Sequence, residues 1–100
     1  MTKDIKVIAD HFGARKQLAK MIEECGELIE AVNVYHDDIA IPSDPVDAAL
    51  DRIHVIEEMT DVQILIDQLT YLLHAREDMK QMREFKINRT LERVRNGYYE

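Results

Sequence analysis

Apolar residues recur along this chain at helical spacing, in four stretches parted by turn signals. Ile5, Ile8 and Phe12 stand three and four apart and predict a short first helix from Thr2 to about Phe12. Thr2 or Asp4 can cap it, and Gly13 ends it. A second helix is expected from about Arg15 to Tyr35, with Leu18, Met21, Ile22, Cys25, Ile29 and Val32 on one stripe. Glu24 and Glu27 fall on the flank of that stripe, beside Gln17 and Ala31. Gly26 within this helix costs roughly 1 kcal/mol against Ala, which suggests a close approach to the backbone. The pattern breaks from His36 to about Asp47, where Pro42, Ser43, Asp44 and Pro45 read as a loop and then a helix start.

The third helix is expected from near Val46 to about Leu73. Val55, Met59, Val62, Leu65, Ile66, Leu69, Leu72 and Leu73 mark its buried face. At a step of about 100° per residue, Glu58 projects within roughly 40° of the centre of that face. Asp61 lies at its edge, and Glu57 points to solvent. After a break at His74 to Asp78, a last helix runs from about Met79 to Arg95, and Gly97 stops it. Ile87, Leu91 and Val94 form its apolar edge, and Lys86, Arg89 and Arg93 share a separate face. Tyr98 and Tyr99 are expected in a frayed tail.

Composition sharpens this to an all-α fold. Three Gly and two Pro in 100 residues, with 46% hydrophobic and 33% charged residues, describe a globular helical chain. The expected architecture is a single domain, residues 1–100, forming an antiparallel bundle of about four helices. A core of this size is modest, so assembly into a homo-oligomer is expected. The net charge of −7 argues against a nucleic-acid partner. No apolar run approaches about 18 residues and no signal peptide is evident, so a cytoplasmic protein with no membrane partner is expected.

The candidate chemistry lies in two acidic clusters, Glu23-Glu24-Cys25-Gly26-Glu27 and Glu58-Met59-Thr60-Asp61. Each places two acids three residues apart on one helix face. If the second and third helices pack antiparallel, Glu24 and Glu27 face Glu58 and Asp61. Four carboxylates in a poorly solvated cleft call for a cation. An all-oxygen set suits Mg²⁺, with Mn²⁺ as the alternative, and no Cys or His stands at zinc-ligand spacing. Such a metal activates water and neutralises charge at phosphorus. Lys86 and Arg89 are candidate phosphate ligands, and Gln17 is a candidate contact to base or phosphate.

These residues resemble the MazG-like all-α nucleoside triphosphate pyrophosphohydrolases, whose signature is EExxE followed after an interval by ExxD, each on a helix. Gln17-Leu18 and Leu28-Ile29-Glu30-Ala31 resemble the family's flanks, and Glu84 to Arg93 looks like the last helix of small bacterial and phage members. The resemblance implies a Mg²⁺-dependent enzyme that splits an NTP or dNTP into the NMP and pyrophosphate, assembled as a dimer or tetramer. It implies Glu24, Glu27, Glu58 and Asp61 as metal ligands and catalytic residues. Glu23 matches the first acid of the motif and, with Arg93, is expected to play a supporting part. The interval between the motifs, residues 28–57, is long for the family, and the surplus is expected in the loop around Asp37 to Pro45.

Plainer readings stand beside these. The acids and the cationic last helix also fit solvated helix faces. A non-catalytic helical oligomerisation module that keeps the metal-binding bundle is the alternative function. Cys25 and the five Met residues are expected as core filling, and His11, His36, His54 and His74 as surface or boundary residues.

Overall fold

Each helix begins or ends where the sequence supplies a local signal. The computed structural model describes residues 2–40 and 44–100. Within them lie α1 (Lys3–Phe12), α2 (Ala14–Ala40), α3 (Pro45–Leu72) and α4 (Arg76–Arg95), and no strand. Thr2 caps α1 by accepting from the Ile5 amide at 3.3 Å, and Gly13 ends it at φ 82°, a left-handed value that costs glycine little. Asp44 caps α3 by accepting from the Val46 amide at 2.8 Å, with Pro45 opening the first turn. Between α3 and α4 the chain turns through Leu73, His74 and Ala75, with His74 at φ 52°.

The chain is thus all-α, as the periodicity predicts, but two boundaries move. Helix α2 runs on through Ala40, so His36 to Ala40 are helical rather than loop, and α3 already begins at Pro45. The segment has no helix breaker before Pro42, which is why α2 persists. Pro42 and Ser43 of the expected loop lie outside the described residues. The last helix starts at Arg76, because Glu77 and Asp78 suit a first turn. The tail is not frayed: the Tyr98 amide donates to the Arg93 carbonyl at 2.9 Å, with Gly97 at φ 70°.

Helices α2 and α3 pack antiparallel along their lengths, bringing Gln17 to Gln68 at one end of the contact and Glu27 to Glu58 further along. Helix α1 lies against both, mainly α3. Ala9 is fully buried there, and the small side chain permits close approach. The Tyr71 hydroxyl ties α3 to α1 by donating to Asp10, 2.9 Å from each carboxylate oxygen. This contact, chiefly the hydrogen bond, raises the Tyr71 hydroxyl above its ordinary pKa. Helix α4 touches α3 alone. Among the described residues, no helix is long and apolar enough to cross a membrane.

The buried seam differs from the expected one on α2. The residues it buries are Gln17, Glu24 and Ala31, while Leu18, Ile22, Ile29 and Val32 stay exposed, Ile22 at 78%. The α2 flank, not the apolar stripe, faces α3. On α3, Val62, Leu65 and Leu69 are buried as expected, but Met59 is exposed, as is Leu73 just past the helix end. Met79 and Met82 are exposed as well, Met21 and the free thiol Cys25 are half-buried, and Met1 lies outside the described residues. A methyl group placed on Gly26 would meet nothing within 4 Å, so no close approach within this chain explains that glycine.

Leu65, 5% exposed at the centre of the seam, is expected to be the costliest apolar truncation. Leu65→Ala should lower unfolding stability by about 3 kcal/mol, and loss of the Asp44 cap in Asp44→Ala by about 1 kcal/mol. Urea denaturation checks this through the midpoint shifts at unchanged slope.

Candidate metal centre

The period of α3 turns Glu58 inward and leaves Glu57 in solvent, and α2 turns Glu24 toward the same seam. Glu24 and Glu58 are each 8% exposed. One carboxylate oxygen from each of Glu24, Glu27 and Glu58 lies within 4.8 Å of the other two. The buried Oε2 atoms of Glu24 and Glu58 have no hydrogen-bond partner. Burying an unpaired carboxylate oxygen is costly, so the pair is an unsatisfied acceptor set awaiting a donor or a cation.

The other oxygens of these two acids are occupied. Lys20 Nζ lies 3.2 Å from Glu24 Oε1 and 3.8 Å from Glu23 Oε2, and His54 Nε2 lies 3.3 Å from Glu58 Oε1. The hydrogen bond to Glu24, helped by the charge of Glu23, raises the Lys20 ammonium above its usual pKa. The opposite pressure acts on Glu27. Its carboxyl is held above the ordinary glutamate value, first by hydrogen bonding with Glu24 and then by the negative charge of Glu24.

Asp61 is exposed and stands outside the close trio. It lines a neighbouring groove of about 220 Å³ together with Gln17, Lys20, Glu24 and Gln68. Gln17 is buried rather than a surface residue, and its Nε2 donates to Gln68 Oε1 at 2.7 Å. Glu23 is exposed and lies 3.8 Å from Lys20 Nζ. The cationic candidates are elsewhere. Lys86 and Arg89 are exposed on α4, which packs on neither α1 nor α2. Arg89 sits over the Phe85 ring at 5.6 Å, and Arg93 over Tyr98 at 5.0 Å. A single chain therefore gathers Gln17 and the acids but not Lys86, Arg89 and Arg93.

Three polar residues outside the expected site set bear on it: Lys20, His54, which is exposed as expected, and Gln68. The first two had a readable signal, since each precedes its glutamate by four residues, one helical turn. Gln68 had none, because it shows only once α2 and α3 are in register. Comparisons of the chain with protein-family profiles, curated proteins and solved structures gave no match.

The raised Glu27 pKa fixes the sign of a pH effect. The folded state favours protonated Glu27, so its contribution is fully present below the ordinary value of about 4.3 and is lost as pH rises through the raised one. In metal-free buffer, Glu27→Gln should match the wild type in Tm near pH 4 and exceed it increasingly toward pH 7. A Tm difference that stays flat or falls with pH contradicts the charge conflict.

Proposed function

We propose that the protein is a Mg²⁺-dependent nucleoside triphosphate pyrophosphohydrolase, splitting an NTP or dNTP into the NMP and pyrophosphate. The observation that carries this reading is the convergence of Glu24, Glu27 and Glu58, with two buried carboxylate oxygens lacking partners. The ordered pair of motifs, EExxE then ExxD, supports it by resemblance. Three hard oxygen donors of concentrated negative charge fit Mg²⁺, and Mn²⁺ accepts the same set.

Glu24, Glu27 and Glu58 would hold the ion, with Asp61 as the exposed fourth acid at the groove. When bound, the ion neutralises charge on the phosphates and lowers the pKa of water. The residues of the chain do the rest. Glu24 and Glu58 are anchored by Lys20 and His54, which limits their rotation. The Gln17–Gln68 pair presents amide groups to a nucleoside in the groove. Lys20, at the same groove, is a nearby cation for a phosphate oxygen. Lys86 and Arg89 would steady the departing pyrophosphate, with Arg93 and Glu23 in supporting positions.

A non-catalytic oligomerisation module is the second reading, favoured by the apolar surface the chain leaves exposed. Thermal stabilisation by a non-hydrolysable nucleotide beyond that of Mg²⁺ alone separates the two, because a module that keeps only the metal-binding bundle gains nothing from the nucleotide.

With Mg²⁺, the protein should release pyrophosphate and NMP from at least one NTP or dNTP. Orthophosphate as product, or no turnover of any, sinks the reading. Glu58→Gln should lower kcat by about 100-fold or more while keeping the helical circular dichroism. Full activity in this variant would remove Glu58 from the ligand set.

A further inference from the structure

A cleft of about 370 Å³ opens between α1, the end of α3 and the start of α4, and it shares no residue with the acidic site. Its walls are Lys6, Thr70, Tyr71, His74, Arg76 and Glu77. The volume falls within the range of about 300–1,000 Å³ that small-molecule sites occupy. In a chain of net charge −7, this cleft holds a lysine, an arginine, an imidazole and one acid. Neither Lys6 nor Arg76 forms an ion pair among the described residues.

Lys6 is available because its helical partner is taken. Asp10 stands one turn after Lys6, the spacing of a helix ion pair. The Tyr71 hydroxyl occupies both Asp10 oxygens at 2.9 Å, and Lys6 Nζ lies instead 5.7 Å from the centre of the Tyr71 ring. The same bond fixes that half-buried ring as a wall of the cleft. The hydroxyls of the cleft have no proton to give. Tyr71 spends its own on Asp10, and Thr70 donates to the Ile66 carbonyl at 2.6 Å. Both oxygens can still accept, as can Glu77. The side-chain donors left to an anion are therefore Lys6, His74 and Arg76, and the acceptors call for hydroxyl groups on the same ligand.

The backbone at His74 points the same way. Helix α3 ends with the Ala75 amide on the Thr70 carbonyl at 3.0 Å and the His74 amide on the Tyr71 carbonyl at 3.2 Å, a motif whose left-handed position is usually a glycine. Here that position, at φ 52°, holds a histidine, which gives up stability and places an imidazole at the cleft. We propose that this cleft binds a small phosphate monoester carrying hydroxyl groups, of the sugar phosphate class. Lys6, His74 and Arg76 hold the phosphate, and Thr70, Tyr71 and Glu77 accept from the hydroxyls. The Arg76 guanidinium matches phosphate oxygens as a fork, and Lys6 adds a point charge. Two cations suit the double charge of a phosphate monoester better than the single charge of a carboxylate.

Calorimetry with ribose 5-phosphate in metal-free, low-salt buffer tests the site on the full chain, and no readout depends on NTP turnover. Binding should be submillimolar, and ribose should not bind measurably. Inorganic phosphate should bind at least about 10-fold more weakly, because it brings no sugar hydroxyls to the acceptors. Lys6→Gln with Arg76→Gln should weaken ribose 5-phosphate at least about 10-fold while keeping the helical signal. His74→Gly should weaken it too while raising Tm by about 4 °C, since it relieves the left-handed backbone. In amide NMR spectra the probe should shift Tyr71, His74 and Arg76 and leave Glu24 and Glu58 unmoved. Absence of binding at millimolar probe, equal binding of ribose or inorganic phosphate, undiminished affinity in either variant, or shifts confined to the acidic seam each overturn the proposal.

Discussion

Glu24 and Glu58 meet on the seam that holds α2 against α3, and much else follows from that contact. A helix seam of this length would ordinarily be closed by apolar side chains. Here Gln17, Glu24, Glu58 and Gln68 are buried among Ala9, Ala31, Val62, Leu65 and Leu69. Each buried carboxylate carries a desolvation cost that apolar burial nearby must offset. The chain moderates it by placing a basic side chain one turn before each acid, Lys20 before Glu24 and His54 before Glu58. These partners satisfy one oxygen of each acid and leave the other bare. Such a half-satisfied arrangement favours a ligand over a self-contained fold, because a cation added there meets acceptors already desolvated and aimed.

A polar seam also explains the thin core. With few apolar residues between α2 and α3, the apolar stripe of α2 is left facing outward, as are Ile53, Ile56 and Met59 on α3. Hydrophobic surface of that extent is unusual on a lone chain. The site and the exposed surface are thus two sides of one choice. Turning the carboxylate flank of α2 inward turns its apolar stripe outward, while on α3 Glu58 shares its buried face with Val62, Leu65 and Leu69. Helix α4 buries none of its residues and, among the described elements, packs on α3 alone.

What could be read from the sequence divides along the same line. Signals confined to one helix were legible: the Thr2 cap, the Gly13 stop, the Asp44-Pro45 start, and the opposite fates of Glu57 and Glu58. Each depends on neighbours within one or two turns. The inward face of α2 was not legible in this way. Periodicity says which residues share a face, and α2 has two candidates, the Leu18 stripe and the Gln17-Glu24-Ala31 flank. The choice rests on what α3 presents, which no window of α2 contains. Asp61 fell short for a related reason: it shares the register of the trio but lies on the rim, where a small rotation of α3 takes a side chain out of reach. Lys86 and Arg89 are candidates by their charge and shared helix face, and neither tells which body the last helix lies against.

Lys20 gives the arrangement its chemical logic. Its ammonium is bound to Glu24, its pKa raised by that bond, and it lines the groove that Gln17 and Gln68 also line. In the unliganded chain it acts as a resident counter-ion. A divalent cation held as proposed by Glu24, Glu27 and Glu58 would compete with that ammonium for the same charge and would relieve the repulsion at Glu27. The lysine, only partly buried, can then swing on its flexible stem toward any anion in the groove without being desolvated anew. One side chain thus balances the acids, and under the proposed function it would also be available to a phosphate. Its placement four residues before Glu24 meets both demands, since a helical turn reaches the carboxylate and the groove beside it.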